Sequence, residues 1–183
     1  LLMMKEQLDK TVLSKLKLPS KNEPNMDSWK DFLGRLKNPT SDVKIGLVGK
    51  YVELPDAYKS IIESFIHAGA KNECKVRLEF IHSEGLYPDN VKEKLSHLDA
   101  VLVAPGFGSR GIEGKIDAIK YVREMDIPFF GICLGMQCAV IEFGRNVLGL
   151  NGANTTEIDA NTEFPVINMM EDQKKITNKG GTM

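Results

Sequence analysis

From residue 44 onward, short apolar runs alternate with longer stretches of helical period. Lys44–Val48, Val76–Ile81, Ala100–Ala104 and Ile127–Ile132 are largely aliphatic runs, the pattern of strands buried on both faces. Between them, Ala57–Ala70, Val91–Leu98 and Ile112–Met125 have the length and spacing of helices with one apolar side. Strand and helix in strict alternation need crossover connections, which predict an α/β fold: a mostly parallel sheet with helices on both faces. Ligands of such sheets collect at the carboxyl ends of the strands, which directs attention to Gly49-Lys50-Tyr51, to Pro105–Gly111 and to Cys133.

Residues 1–40 have a different texture. Leu8, Val12 and Leu16 recur at helical spacing, and Pro19-Ser20-Lys21-Asn22-Glu23-Pro24 then breaks any regular element. Trp29, Phe32, Leu33 and Leu36 follow at i, i+3, i+4 and i+7, so a second short helix should lay an aromatic stripe on a larger body. The division predicted is a helical linker over 1–40 and one α/β domain over 41–183.

Composition narrows the classes. A chain of 183 residues can bury one sizeable core with an appendage. Its formal net charge of −1 supplies no field to gather nucleic acid or an anionic membrane, so neither is an expected partner. Cys74, Cys133 and Cys138 are an odd, sparse set, which suggests reduced thiols in a cytoplasmic protein and not a disulfide framework. No apolar run approaches the roughly 20 residues that span a bilayer, and Leu1-Leu2-Met3-Met4 is followed at once by Lys5 and Glu6, unlike a signal peptide. Opening on an apolar helical pattern, the sequence reads as a piece of a longer protein.

The most informative stretch is Ile127-Pro128-Phe129-Phe130-Gly131-Ile132-Cys133-Leu134-Gly135-Met136-Gln137. An apolar strand runs straight into small-x-Cys-x-small and then into a helical pattern over Met136–Phe143, the form of a nucleophile elbow with sulfur in place of oxygen. Gly131 and Gly135 let the backbone turn without side-chain collision and project Cys133 from the top of the sheet. The same turn puts Cys133 at a helix N-terminus, where unpaired N–H groups and the macrodipole favour the thiolate. Acyl transfer also needs N–H donors aimed at the oxyanion, and Leu134, the residue after the nucleophile, can supply one. The competing reading is a buried structural thiol. Cys138 fits that reading better, because it falls inside the helix, and Cys74 carries no functional expectation.

Ala104-Pro105-Gly106-Phe107-Gly108-Ser109-Arg110-Gly111 holds a literal G-x-G-x-x-G between a strand and a helix. A dinucleotide site also needs an acidic residue about 20 positions on, at the end of the next strand, and that strand ends in Cys133. Gly106 is better assigned to a second N–H beside Leu134, completing an oxyanion hole. Gly46-Leu47-Val48-Gly49-Lys50-Tyr51 lacks the four-residue gap and the Ser or Thr of a P-loop. Asn154-Thr155-Thr156-Glu157 reads on its own as a surface turn.

With these pieces in place, Val48-Gly49-Lys50-Tyr51-Val52-Glu53-Leu54-Pro55-Asp56-Ala57-Tyr58-Lys59-Ser60 resembles the opening of the glutaminase domain of the CTP synthase family. Pro105–Gly114, Gly131–Gln137 and Asn154–Glu157 follow in that family's order and spacing. The likeness covers 41–183, with weaker agreement through Leu16-Lys17-Leu18-Pro19. The resemblance implies a class I glutamine amidotransferase-like, flavodoxin-like fold whose C-terminal part is missing here. It implies that Cys133 attacks the glutamine amide and that the N–H groups of Gly106 and Leu134 hold the oxyanion. Gly106, Phe107, Leu134, Gly135, Met136, Gln137 and Glu157 would line the substrate, with Glu157 gripping its α-ammonium. It further implies ammonia delivery to a synthetase domain, absent here, that uses ATP and Mg2+ to convert UTP to CTP, in a homo-oligomer; no metal site is expected in this chain.

Two departures stand out. Where the family more often has Pro-Gly-Gly-Phe-Gly, this chain has Ala104-Pro105-Gly106-Phe107-Gly108, and Pro105 has no N–H to offer. The family's catalytic His and Glu come well after the acid that Glu157 matches, whereas His67, His82 and His97 all precede Cys133. The 183-residue chain is therefore expected not to turn over glutamine, and an unpaired sheet edge is expected to make it unstable or prone to associate. Two alternatives stay open: a non-catalytic binding or assembly module, and a peptidase or other hydrolase sharing the elbow.

Overall fold

The computed structural model describes residues 2–19 and 24–170. Two short helices, α1 (Leu2–Lys5) and α2 (Leu8–Lys15), precede α3 (Asp27–Lys37). The expected break over Pro19–Pro24 lies mostly outside the described residues. Four strands, β1 (Ser41–Gly49), β2 (Cys74–His82), β3 (Ala100–Val103) and β4 (Phe129–Gly131), form one sheet in the order β2-β1-β3-β4, with every pairing parallel. The crossovers run through α4 (Lys59–Lys71), α5 (Val91–Leu95) and α6 (Ile112–Glu124), and α7 (Leu134–Asn146) leaves β4 directly. A separate parallel pair, β5 (Asn154–Thr155) with β6 (Pro165–Ile167), follows.

Both sheet faces are covered, as the continuous apolar runs require. Val48, Val101 and Val103 point into the larger core with residues of α5, α6 and α7, such as Leu95, Ile119 and Ile141. Leu47 and Leu102 point the other way, against Tyr58 and the α4 residues Ile61, Ile62 and Phe65. The aromatic stripe of α3 does land on a larger body: Trp29 stacks on Phe32 at 5.3 Å between ring centroids, and Phe32 meets His67 of α4 at 5.1 Å.

Some boundaries differ from expectation for identifiable reasons. The run 127–132 yields only a three-residue strand, because the Ile127 N–H turns back to Val122 O at 2.9 Å to close α6 and Pro128 has no N–H. The helix expected over 91–98 stops at Leu95, after which the Leu98 N–H returns to Leu95 O in a tight turn. The helix expected from Ala57 begins as a 3-10 turn over Pro55–Tyr58 and becomes α4 at Lys59.

Candidate active site

Strand order directs where a site can form. The chain steps from β1 to β2 on one side and returns to place β3 on the other, leaving a crevice beyond the carboxyl ends of β1 and β3. Lys50 follows β1, Ala104–Gly106 follow β3, and Cys133 stands next to them beyond β4.

The elbow is built by steric exclusion. Cys133 is the N-cap of α7, is exposed, and takes φ 52° and ψ −111°, a strained conformation for a side-chain-bearing residue. The Gly135 N–H closes the turn onto Ile132 O at 2.8 Å, and the Gln137 N–H reaches Cys133 O at 3.0 Å. A Cβ at Gly135 would stand 2.1 Å from Val103 O, and one at Gly131 would stand 2.6 Å from the carbonyl carbon of Gly135. The two glycines thus serve close backbone approach, and the positive φ falls on the cysteine itself.

Across from the elbow lies the glycine loop. Gly106 and Leu134 are both buried, and a Cβ on Gly106 would meet Leu134 Cδ2 at 3.7 Å, so the two residues are neighbours. Among the described residues neither the Gly106 N–H nor the Leu134 N–H donates a hydrogen bond, which leaves both donors uncommitted. Phe107, 59% exposed, lies at the rim, as does exposed Met136, while Gln137 is half-buried on the first turn of α7.

Two lysines to which the sequence assigns no role close the loop from behind. Lys115 on α6 is 0% exposed and its Nζ donates to Ala104 O at 2.9 Å. Burial pulls its pKa below the ordinary lysine value, negative charge on the sulfurs of Cys138 and Cys133 would oppose that shift, and the Lys50 ammonium adds to it. Lys50 is buried as well and donates through Nζ to Phe107 O. A signal for Lys115 existed: it sits in the inward stripe Ile112, Lys115, Ile116, Ile119, where a charge does not belong.

The remaining candidates fall elsewhere. Glu157 is exposed on the turn after β5, and the β5–β6 unit is anchored at the far end of α7, where a Cβ on Gly144 would meet Ala153 and Val166, each at 3.3 Å. That anchor lies about 15 Å along the helix from Leu134. His67 packs on Phe32, His82 accepts from the Glu84 N–H, and His97 pairs with Glu79 at 2.7 Å. Cys138 is buried inside α7, where burial pushes its pKa up to about 11, so it is an inert thiol. Beneath the elbow, Glu142 of α7, 1% exposed, takes three hydrogen bonds from Arg123 of α6 and ties the two helices together. Among the described residues no helix is long and apolar enough to cross a membrane.

Fold and elbow together define a parallel α/β protein that presents an exposed cysteine where a strand bends into a helix. The chain belongs to the glutamine amidotransferase class-I family, whose model matches residues 53–183. It is 69% identical to the CTP synthase of Cytophaga hutchinsonii over 183 residues, all of this chain and 34% of that protein. It is 58% identical to the CTP synthase of Methanocaldococcus jannaschii, over 98% of this chain and 34% of that protein. The chain thus spans about a third of the length of the curated relatives it matches. Among solved structures, the glutaminase domain of Trypanosoma brucei CTPS with bound acivicin superposes with a TM-score of 0.68 at 36% identity, over 71% of this chain and 51% of that one.

Proposed function

We propose that this chain is the nucleophile-bearing part of the glutaminase of a CTP synthase. The observation that carries the reading is Cys133, exposed at φ 52° on the N-cap of α7 beside two undonated N–H groups. In the reaction, the Cys133 thiolate attacks the side-chain amide carbon of L-glutamine, and the N–H groups of Gly106 and Leu134 hold the oxyanion that forms. The C–N bond then breaks, nitrogen leaves as ammonia with an added proton, and a thioester remains. Water opens the thioester, releasing glutamate and restoring the thiol. Gly135 gives the turn its close approach, while Phe107, Met136 and Gln137 line the substrate.

The resemblance to whole CTP synthases extends the proposal. The ammonia goes to a synthetase domain outside this chain, which uses ATP and Mg2+ to activate UTP, in a cytoplasmic homo-oligomer joined to this domain through the helical segment 1–40. The family's acid-base His and Glu follow the position that Glu157 matches, so the reading is tested on the complete protein. To test the reading, the complete protein is treated with a glutamine-mimicking electrophile and the adduct mapped. Labelling of Cys133, with glutaminase activity lost in Cys133→Ala, is the expected result. Labelling of Cys74 or Cys138 instead would end it, and absence of any glutaminase activity would favour a binding module.

A further inference from the structure

We propose that Lys115 and Lys50 are positioning residues that hold the Gly106 loop in the form glutamine hydrolysis requires, an inference that rests on the function proposed above. Lys115 reaches up from α6 to Ala104 O at 2.9 Å, and Lys50 reaches from the end of β1 to Phe107 O. Ala104 O belongs to the peptide unit just before the one that carries the Gly106 N–H, and Phe107 O to the second unit after it, so the two lysines hold the loop on either side of the oxyanion donor. The loop has few means of its own to do this. Pro105 has no N–H, Gly106 has the widest backbone freedom of any residue, and the Gly106 N–H must stay uncommitted if it is to serve the substrate.

The surroundings of Gly106 agree. A Cβ there would stand 3.5 Å from Lys50 Cε, 3.7 Å from Lys115 Nζ and 3.7 Å from Leu134 Cδ2, so three side chains close on one glycine. Burying an amine in an apolar helix face is unfavourable, and leucine or methionine would fill the volume of Lys115 without that cost. Its ammonium instead donates to the loop. An amine donates to a carbonyl whether or not it is protonated, so the role survives the downward pull of burial on the Lys115 pKa.

The test uses the complete synthase and the variants Lys115→Met and Lys50→Met, which keep length and remove the donor. Three quantities are measured: kcat and KM for glutamine hydrolysis, inhibition by glutamate γ-semialdehyde, and the rate at which iodoacetamide alkylates Cys133. The aldehyde adds the Cys133 thiol across its carbonyl, placing a hole-dependent oxygen where the oxyanion forms, whereas alkylation by iodoacetamide needs no hole. Each variant is expected to lose roughly 10- to 100-fold in kcat and a similar factor in aldehyde affinity, with KM and the alkylation rate within about threefold of the parent. Unchanged kcat and aldehyde affinity would overturn the proposal, as would an alkylation rate that falls in step with kcat, since that reports general damage to the elbow. If Lys115→Met does not fold, Lys50→Met carries the same readouts against the opposite carbonyl. Parent activity that is absent, or that survives Cys133→Ala, removes the functional reading and this inference with it; an active parent with silent lysine variants removes this inference alone.

Discussion

The elbow at Gly131–Gln137 and the loop at Ala104–Gly111 are both rich in glycine, yet different forces hold them. In the elbow, backbone presses on backbone: Gly135 leaves no room for a Cβ against Val103 O, and Gly131 leaves none against Gly135. In the loop, only Gly111 at its end is crowded, against Ser83; a Cβ at Gly108 would meet nothing within 4 Å, and the stretch around Gly106 is held by donors sent from Lys50 and Lys115. One half of the site is therefore fixed by close packing of backbone on backbone and the other by side-chain donors.

That division can be broken by experiment. The largest effect is expected from Cys133→Ala in the complete protein, a fall of roughly 10⁴-fold or more in glutamine hydrolysis with folding retained, read by steady-state assay beside a thermal melt. Next comes Gly135→Ala, which forces a methyl group into a carbonyl oxygen; it should lower Tm by more than about 10 °C or prevent soluble expression. Gly108→Ala, placed at φ 72° in open space, should lower Tm by only about 2–4 °C. Equal damage from these two glycine variants would remove the contrast between elbow and loop.

The smallest effect is a pH dependence. Lys115 has a folded pKa below its unfolded value of 10.5, so the unfolded chain binds more protons in the window just under that value. Stability contributed by this group therefore rises with pH. Comparing melts of the parent and Lys115→Met from neutral pH upward, the parent should gain on the variant; a gap that moves the other way would place the amine in a more polar setting than the structure gives it.

The contrast also explains what could be read from the sequence. The alternation of aliphatic runs and helical stretches led to the parallel sheet with helices on both faces, because periodicity is a local property. The strand–turn–helix at Cys133 was legible for the same reason: its glycines lie two residues to either side of the sulfur. The lysine contacts were not, since Lys50 reaches across 57 positions to Phe107 and Lys115 back across 11 to Ala104. No spacing rule links such pairs. Lys115 left one trace, a charge inside an apolar stripe, whose partner only the fold could show. Strand β4 came out short because Pro128 and the closing turn of α6 take residues that hydropathy alone assigns to the strand.

The backbone angles at Cys133 carry a consequence for how such a site is inherited. Glycine would rest at φ 52°, ψ −111° more easily than cysteine by about 1–2 kcal/mol, so drift and thermal robustness both press toward glycine at that position. Only continued use of the sulfur resists that pressure. In a gene copy released from its chemistry, residue 133 should be the first of the elbow to change, while Gly131 and Gly135 stay because the sheet needs them. A glycine between two old glycines would then be the fossil by which a retired copy is told from a working one.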